Sequence, residues 1–128
     1  MFGRRIILCL PSIIFAILIF VLSHIPSDFI PPSIFNLQDK FFHALVYFLF
    51  GISLLIAFSN VKSKTKVVIY VFLIGSFYGV VDELHQLFVP GRVCDITDWI
   101  ADSLGIAISL LFREKVQAKV NNIILRKQ

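Results

Sequence analysis

Charged residues are scarce in this sequence: Asp, Glu, Lys and Arg make up 16% of its 128 residues, whereas 58% are hydrophobic. Soluble domains contain about 25% charged and about 45–50% apolar residues. Too few charges are present to cover the surface of a water-soluble domain of this length, so the excess apolar side chains must face lipid. The composition therefore excludes an ordinary soluble domain and indicates a membrane protein.

Cysteine is also scarce, with only two residues, which excludes a disulfide framework. Cys9 lies within an apolar run and Cys94 in a polar segment, and the topology argued below predicts that they lie near opposite faces of the membrane. The basic residues, 12 Lys and Arg against 8 Asp and Glu, are spread along the chain instead of forming one patch. This distribution argues against nucleic-acid binding.

Four stretches of the chain carry no charge when histidine is counted as neutral: residues 6–26, 41–61, 67–81 and 99–112. A helix needs about 20 residues to cross about 30 Å of hydrocarbon, and the first two stretches reach that length. The third reaches it only by continuing to residue 89, and the fourth only by beginning near residue 95, which draws acidic residues into the membrane. We therefore predict an all-α membrane protein in which residues 1–112 form a four-helix transmembrane bundle.

Residues 113–128 are predicted to form a basic, amphipathic C-terminal tail on the cytoplasmic side. Its apolar residues Val116, Val120, Ile123 and Ile124 share one helical stripe with cations elsewhere. Such a stripe is expected of a helix that lies on an anionic membrane surface. A frayed tail is the alternative.

The orientation of the bundle follows from its positive charges, because cytoplasmic loops carry an excess of Lys and Arg. Ten of the twelve cations fall on one side of the predicted bundle: Arg4, Arg5, Lys62, Lys64, Lys66, Arg113, Lys115, Lys119, Arg126 and Lys127. Seven of the eight acidic residues fall on the other side. We predict a multi-pass protein of the bacterial cytoplasmic membrane with both termini in the cytoplasm.

Polar residues form a stripe on three of the four predicted helices. Residues spaced three, four or seven apart share one helical face, and the stripes are Asp39, His43 and Tyr47 in the second helix, Tyr78, Asp82, His85 and Gln86 in the third, and Asp95, Asp98 and Asp102 in the fourth. With a rise of about 1.5 Å per residue, the stripes reach similar depths in the membrane. Because a charge facing lipid near mid-membrane costs at least about 2.5 kcal/mol, we expect the stripes to face one another around a cleft open to the outside.

Glycine and proline predict how the helices meet. Pro90 and Gly91 suit the two central positions of a type II turn, which would lead directly into the fourth helix. Gly75 and Gly79 form a G-x-x-x-G pair, and Gly105 with Ser109 forms a similar step, so close backbone approach is expected at these positions.

The polar blocks together resemble the VanZ-like family of small bacterial membrane proteins. The resemblance covers about residues 23–112 and rests on three blocks in order: Asp39-Lys40-x-x-His43-x-x-x-Tyr47, then Tyr78-Gly79-x-x-Asp82-Glu83-x-His85-Gln86-x-Phe88-Val89-Pro90-Gly91-Arg92, then Asp95-x-x-Asp98-x-x-Ala101-Asp102-x-x-Gly105. Where the family usually has asparagine this chain has Asp102, which adds an acid at mid-depth.

The resemblance implies an envelope protein whose founding relative is associated with lowered susceptibility to teicoplanin, a glycopeptide that binds cell-wall precursors. We therefore expect the cleft to bind or modify an anionic lipid-linked or peptidoglycan precursor. The residues expected to contact it are Asp39, Lys40, Tyr47, Tyr78, Glu83, Gln86, Arg92, Asp95 and Asp102. The sequence identifies neither a cofactor nor the oligomeric state.

Two other functions stay open on the sequence: a membrane-embedded hydrolase or transferase acting on a lipid head group, and a small proton-coupled transporter. The candidate catalytic residues are His43, His85, Asp82 and Asp98, with a histidine as general base. The same four residues are the candidate ligands of a metal ion, although the pattern does not by itself predict one. The structural alternative is that Asp82 pairs with His85, and Arg92 with Asp95 or Asp98, as ion pairs that hold the helices in register.

Overall fold

The computed structural model describes residues 2–125, and it is entirely helical over that range. Its α-helices are α1 (Phe2–Ser23), α2 (Gln38–Ala57), α3 (Lys64–Gln86), α4 (Ile96–Ser109) and α5 (Arg113–Leu125), with short 3₁₀ helices at Ser27–Phe29 and Leu110–Phe112. The described residues contain no strand, so the all-α prediction is confirmed. The proline-rich segment after α1 forms only the first 3₁₀ helix, because each proline removes a backbone donor.

Three helices, α1, α2 and α3, are long and apolar enough to cross a membrane. α4 has 14 residues, which at about 1.5 Å each is shorter than the hydrocarbon core. It continues into the 3₁₀ helix Leu110–Phe112, so these two elements together cover the predicted fourth segment. α1 is mostly exposed outside its contacts with α2 and α3, and its exposed side chains are almost all apolar, as lipid contact requires.

The buried core lies around α2, which packs against α1, α3, α4 and α5. Its side chains come from four helices: Ile19 of α1, Tyr47, Phe50, Leu54 and Leu55 of α2, Val67 and Val71 of α3, and Ile106 of α4. Polar residues are buried beside this core near one end of the bundle, which is where the functional candidates lie.

Glycine allows α4 to lie close to its neighbours, as predicted. A Cβ atom on Gly105 would lie 2.9 Å from the backbone nitrogen of Phe48 and 3.0 Å from the carbonyl carbon of Ala44, both in α2. Gly75 of α3 similarly faces the side chain of Ile106. These contacts set the distances from α4 to α2 and α3, and with them the spacing of the polar stripes.

The two ends of the bundle differ in charge. The connections 24–37 and 87–95 lie together at one end, where the backbone nitrogen of Ser27 donates to the carbonyl oxygen of Pro90 (3.3 Å). We call this end the acidic end. The connection 58–63 and α5 form the opposite, basic end, where Lys64 pairs with Glu114 at 3.1 Å. Arg126 and Lys127, which entered the charge count, lie outside the described residues.

The predicted Pro90-Gly91 turn is present. Gly91 has a φ of 74°, and the backbone nitrogen of Arg92 donates to the carbonyl oxygen of Val89 at 3.1 Å. A type II turn has this hydrogen bond and this positive φ at its third residue. α3 ends at Gln86, three residues before the predicted end of the third segment at residue 89. α4 begins at Ile96, close to the predicted start near residue 95, and Asp95 caps its first turn.

The tail after α4 is helical as far as Leu125. Val116 packs against the core of the bundle, so the first turns of α5 dock on the bundle. Its predicted position on the membrane surface stays a prediction, and the side chain of Ile124 lies outside the described part of the chain.

Candidate functional site

Lys40 joins the N-terminal ends of α2 and α4. Its Nζ lies 2.8 Å from Asp95 Oδ2, 3.5 Å from Asp39 Oδ2, and in contact with Asp98 Oδ1. Asp98 is buried and Asp39 is exposed, so the ammonium spans the edge and the interior of the acidic end. One cation therefore neutralises part of a group of three carboxylates.

Asp95 connects all three polar helices. Its Oδ1 accepts hydrogen bonds from the backbone nitrogen (2.8 Å) and the hydroxyl (2.7 Å) of Thr97. Asp95 thereby caps the N-terminus of α4. Its backbone nitrogen donates to Glu83 Oε2 on α3 at 2.8 Å. The hydrogen bonds from Lys40 and Thr97 hold the pKa of Asp95 well below its usual range, so this carboxylate is charged at neutral pH.

His43 lies between two carboxylates of α4. Its Nδ1 is 2.9 Å from Asp102 Oδ1, and its Nε2 is 4.0 Å from Asp98 Oδ2. The side chains of His43, Asp82, Glu83 and Asp102 each offer one nitrogen or oxygen atom, and these four atoms all lie within 4.8 Å of one another. A second group with the same property consists of Asp39, His43 and Asp98.

We call the group of His43, Asp82, Glu83 and Asp102 the cluster. Several polar atoms in the cluster and beside it are buried without a hydrogen-bond partner. Asp102 is 0%, Tyr47 1% and Glu83 2% exposed. Asp102 Oδ2, the Tyr47 hydroxyl and Glu83 Oε1 have no hydrogen-bond partner among the described residues. Buried polar groups are nearly always hydrogen-bonded, so each orphan calls for a specific explanation.

A cavity of about 350 Å³ lies beside this cluster, between α1, α2 and α3 at the acidic end. One wall is polar and is formed by Ser23, Asp39, His43, Tyr47, Asp82, Gln86 and Arg92. The other wall is apolar and comes from α1, the segment after it and α2: Ile19, Leu22, Ile25, Phe29, Ile30, Pro31, Phe42 and Val46. The cavity thus combines hydrogen-bonding groups with a surface suited to hydrocarbon.

Two predicted site residues point away from this cavity. The Tyr78 hydroxyl donates to the carbonyl oxygen of Ala16 at 2.7 Å and fastens α3 to α1. His85 Nε2 lies 3.2 Å from Nδ1 of His24, and its ring packs on Phe20 with centroids 4.5 Å apart. The structure therefore places His85 against α1, whereas the other candidates gather between α2, α3 and α4 or along the cavity.

The ion pairs of the structural alternative, Asp82 with His85 and Arg92 with Asp95 or Asp98, are absent from the described residues. Arg92 donates instead to main-chain carbonyls, from Nε to Ile25 (3.1 Å) and from Nη2 to Leu22 (3.5 Å). The guanidinium ties the turn before α4 to the end of α1. His85 turns to α1 because α3 presents Asp82 and Glu83, not His85, to the interior.

Sequence reasoning missed the apolar wall of the cavity and the role of α1. α1 is apolar on all sides, so no periodic pattern distinguishes Ile19 and Leu22, which line the cavity, from the residues that face lipid. His24 carried a signal, since it is one of only three histidines. It lies outside the three blocks, and its contact with His85 requires the docking of two helices.

The chain matches one known protein family. No significant match was found among curated proteins or among solved structures. A sequence model of the VanZ/LLP1 family matches residues 4–114, which includes α1 from its third residue, all of α2 to α4 and every residue of the cluster. Given a match over most of its length, the chain belongs to the VanZ/LLP1 family.

Proposed function

We propose that this protein is a four-span protein of the bacterial cytoplasmic membrane whose cavity opens to the outside and binds the head group of an anionic lipid-linked cell-wall precursor. Both termini would lie in the cytoplasm. Binding of such a precursor would change which precursors a teicoplanin-type glycopeptide can reach, in line with the lowered teicoplanin susceptibility associated with the family's founding member. The observation that carries the proposal is the two-sided lining of the cavity.

The cavity suits an amphipathic ligand. Its apolar wall comes partly from α1, whose exposed side chains are also apolar and would face lipid, so this side of the cavity suits the hydrocarbon part of a ligand. The polar wall offers the free Tyr47 hydroxyl and the Gln86 amide. Sugar hydroxyls and peptide groups are bound by such donors and acceptors.

Arg92 is the cation that lines the cavity. Two of its three nitrogens are held by the carbonyl oxygens of Ile25 and Leu22, which fixes the plane of the guanidinium. Its Nη1 keeps two donors for a phosphate oxygen, with the orientation already set. Lys40 is committed to its three carboxylates, so we assign anion contact to Arg92 alone.

The first experiment is purification from membranes in mild detergent, followed by mass spectrometry of the lipids that copurify. We expect a lipid-linked phosphate with the wild type and with Arg113→Ala, which removes a cation at the basic end. Arg92→Ala should retain about tenfold less, because a hydrogen bond to a charged group contributes about 1.5–3 kcal/mol. Equal recovery from Arg92→Ala, or recovery no higher than from a mock purification, would contradict the proposal.

A further inference from the structure

Three carboxylates and one histidine meet in the interior of the acidic end, where positive charge is lacking. His43, Asp82, Glu83 and Asp102 contribute atoms that lie within 4.8 Å of one another. Lys40 pairs instead with Asp39, Asp95 and Asp98, three other acids of this end. Burying carboxylates without a cation is costly, so buried charges are normally paired or bound to metals.

The unpaired carboxylate oxygens of Glu83 and Asp102 indicate that the cluster can bind a cation. Glu83 and Asp102 are 2% and 0% exposed, and Glu83 Oε1 and Asp102 Oδ2 have no hydrogen-bond partner within residues 2–125. Glu83 uses only its other oxygen, on the backbone nitrogen of Asp95. Asp102 uses only its other oxygen, on His43. Each carboxylate is thus oriented by one bond and keeps one free oxygen inside the cluster.

We propose that His43, Asp82, Glu83 and Asp102 bind one divalent transition-metal ion, Zn²⁺ or Mn²⁺. An imidazole with carboxylates is the donor set that such ions take, whereas Ca²⁺ and Mg²⁺ prefer oxygen alone. Two atoms bound at about 2.1 Å each are at most about 4.2 Å apart. Because the four atoms lie within 4.8 Å of one another, no pair of them needs to approach by more than about 0.6 Å to reach this limit.

The location fits a metal that is reached from outside the bundle. His43 and Asp82 line the cavity, whereas Glu83 and Asp102 lie behind them in the interior. The ion would be held from behind by buried carboxylates and would face the cavity on its open side. It would also add positive charge beside Asp82 in the wall of the cavity, which suits an anionic ligand but does not depend on one.

The test uses the full chain in detergent, stripped with a chelator and then dialysed against Zn²⁺, Mn²⁺ or Mg²⁺ at micromolar free concentration. We expect about one equivalent of Zn²⁺ or Mn²⁺ per chain by elemental analysis, together with a rise in thermal unfolding temperature. Affinity should fall at least tenfold in Glu83→Gln and in Asp102→Ala. Asp28→Asn, which removes an exposed acid from the same end, should bind like the wild type.

Folding of each variant is checked by helical circular dichroism and by a monodisperse elution profile. If Glu83→Gln or Asp102→Ala does not fold, Asp82→Asn replaces it, because the amide keeps the shape and removes the charge. Absence of stoichiometric Zn²⁺ or Mn²⁺, or equal binding by all of these variants, overturns the proposal. Metal binding is measured without any precursor, so its failure is distinguishable from failure of the Arg92→Ala experiment.

Discussion

At the scale of single residues, two cations, Lys40 and Arg92, hold the acidic end together. Lys40 bridges α2 to Asp95 and Asp98 at the start of α4. Arg92 makes no ion pair in the described structure and uses its donors on the carbonyls of Ile25 and Leu22. The two cations therefore do different things: Lys40 joins helices by charge, and Arg92 orders the wall of the cavity.

Replacing Lys40 by methionine should destabilise the bundle by about 2–3 kcal/mol, because a buried acid left without its partner is costly even where the pair is partly open to solvent. Lys64→Met is the matched control, since its pair with Glu114 is 70% and 72% exposed and such pairs contribute at most about 1 kcal/mol. Thermal unfolding in detergent measures both. An equal loss in the two variants would show that Lys40 has no special role.

The pH dependence of this difference has a defined sign. Because the pKa of Asp95 is lowered in the folded protein by Lys40 and Thr97, its contribution is fully present above the unfolded pKa of about 3.9 and is lost as pH falls below it. The gap in unfolding temperature between wild type and Lys40→Met should stay constant from about pH 6 to 8 and narrow below about pH 4. A gap that widens in acid would contradict this assignment.

At the scale of helices, the contact of α4 with α2 decides whether the cluster can form. His43 is on α2 and Asp102 on α4, and Gly105, one turn from Asp102, lies against the α2 backbone. Tyr78 and Arg92 then hold α1 in place through the carbonyls of Ala16 and Leu22. The cluster therefore depends on the contact of α4 with α2, and the cavity depends on the contacts that hold α1.

Gly105→Ala should separate α4 from α2, because the added Cβ would meet backbone atoms at 2.9 and 3.0 Å. Overpacking of this kind costs about 1–3 kcal/mol. Gly79→Ala is the control: its Cβ would lie 3.1 Å from Asp102 Oδ2 and 3.3 Å from Trp99 Cδ1, side-chain atoms that can shift, so a smaller loss is expected. Thermal unfolding that ranks Gly79→Ala as the more harmful change would contradict this view of the helix contact.

At the scale of the whole molecule, charge separates the two ends. Lys62, Lys64 and Lys66 lie at the basic end with the cations of α5, and the acids other than Glu114 lie towards the other end. The excess of Lys and Arg at one end is the pattern that orients membrane proteins. This pattern is the basis for our proposal that the basic end lies in the cytoplasm and the cavity on the outer side.

Labelling of cysteines in intact cells tests this orientation. Cys94 is exposed in the connection between α3 and α4, so a membrane-impermeant maleimide should modify it without cell lysis. Cys9, within α1, should be spared, and Lys64→Cys in a Cys94→Ser background should react only after lysis. Labelling of Lys64→Cys in intact cells together with protection of Cys94 would reverse the orientation.

The sequence by itself determined which residues share a helical face. The period of 3.6 residues brings Asp39, His43 and Tyr47 onto one side of α2, and the type II turn at Pro90 and Gly91 follows from local stereochemistry. These features depend on neighbours in the chain. They were predictable for that reason, as was the excess of apolar surface that requires lipid.

Only the tertiary structure decided which neighbour each face meets. Glu83 and His85 are two residues apart on α3, and periodicity grouped His85 with Asp82 in the cleft. Packing of Gly75 on Ile106 and of Gly79 beside Asp102 sets the rotation of α3, which turns Glu83 inwards and leaves His85 to His24 and Phe20 of α1. Helix rotation and the docking of α1 depend on contacts between residues more than 20 positions apart, which no local pattern encodes.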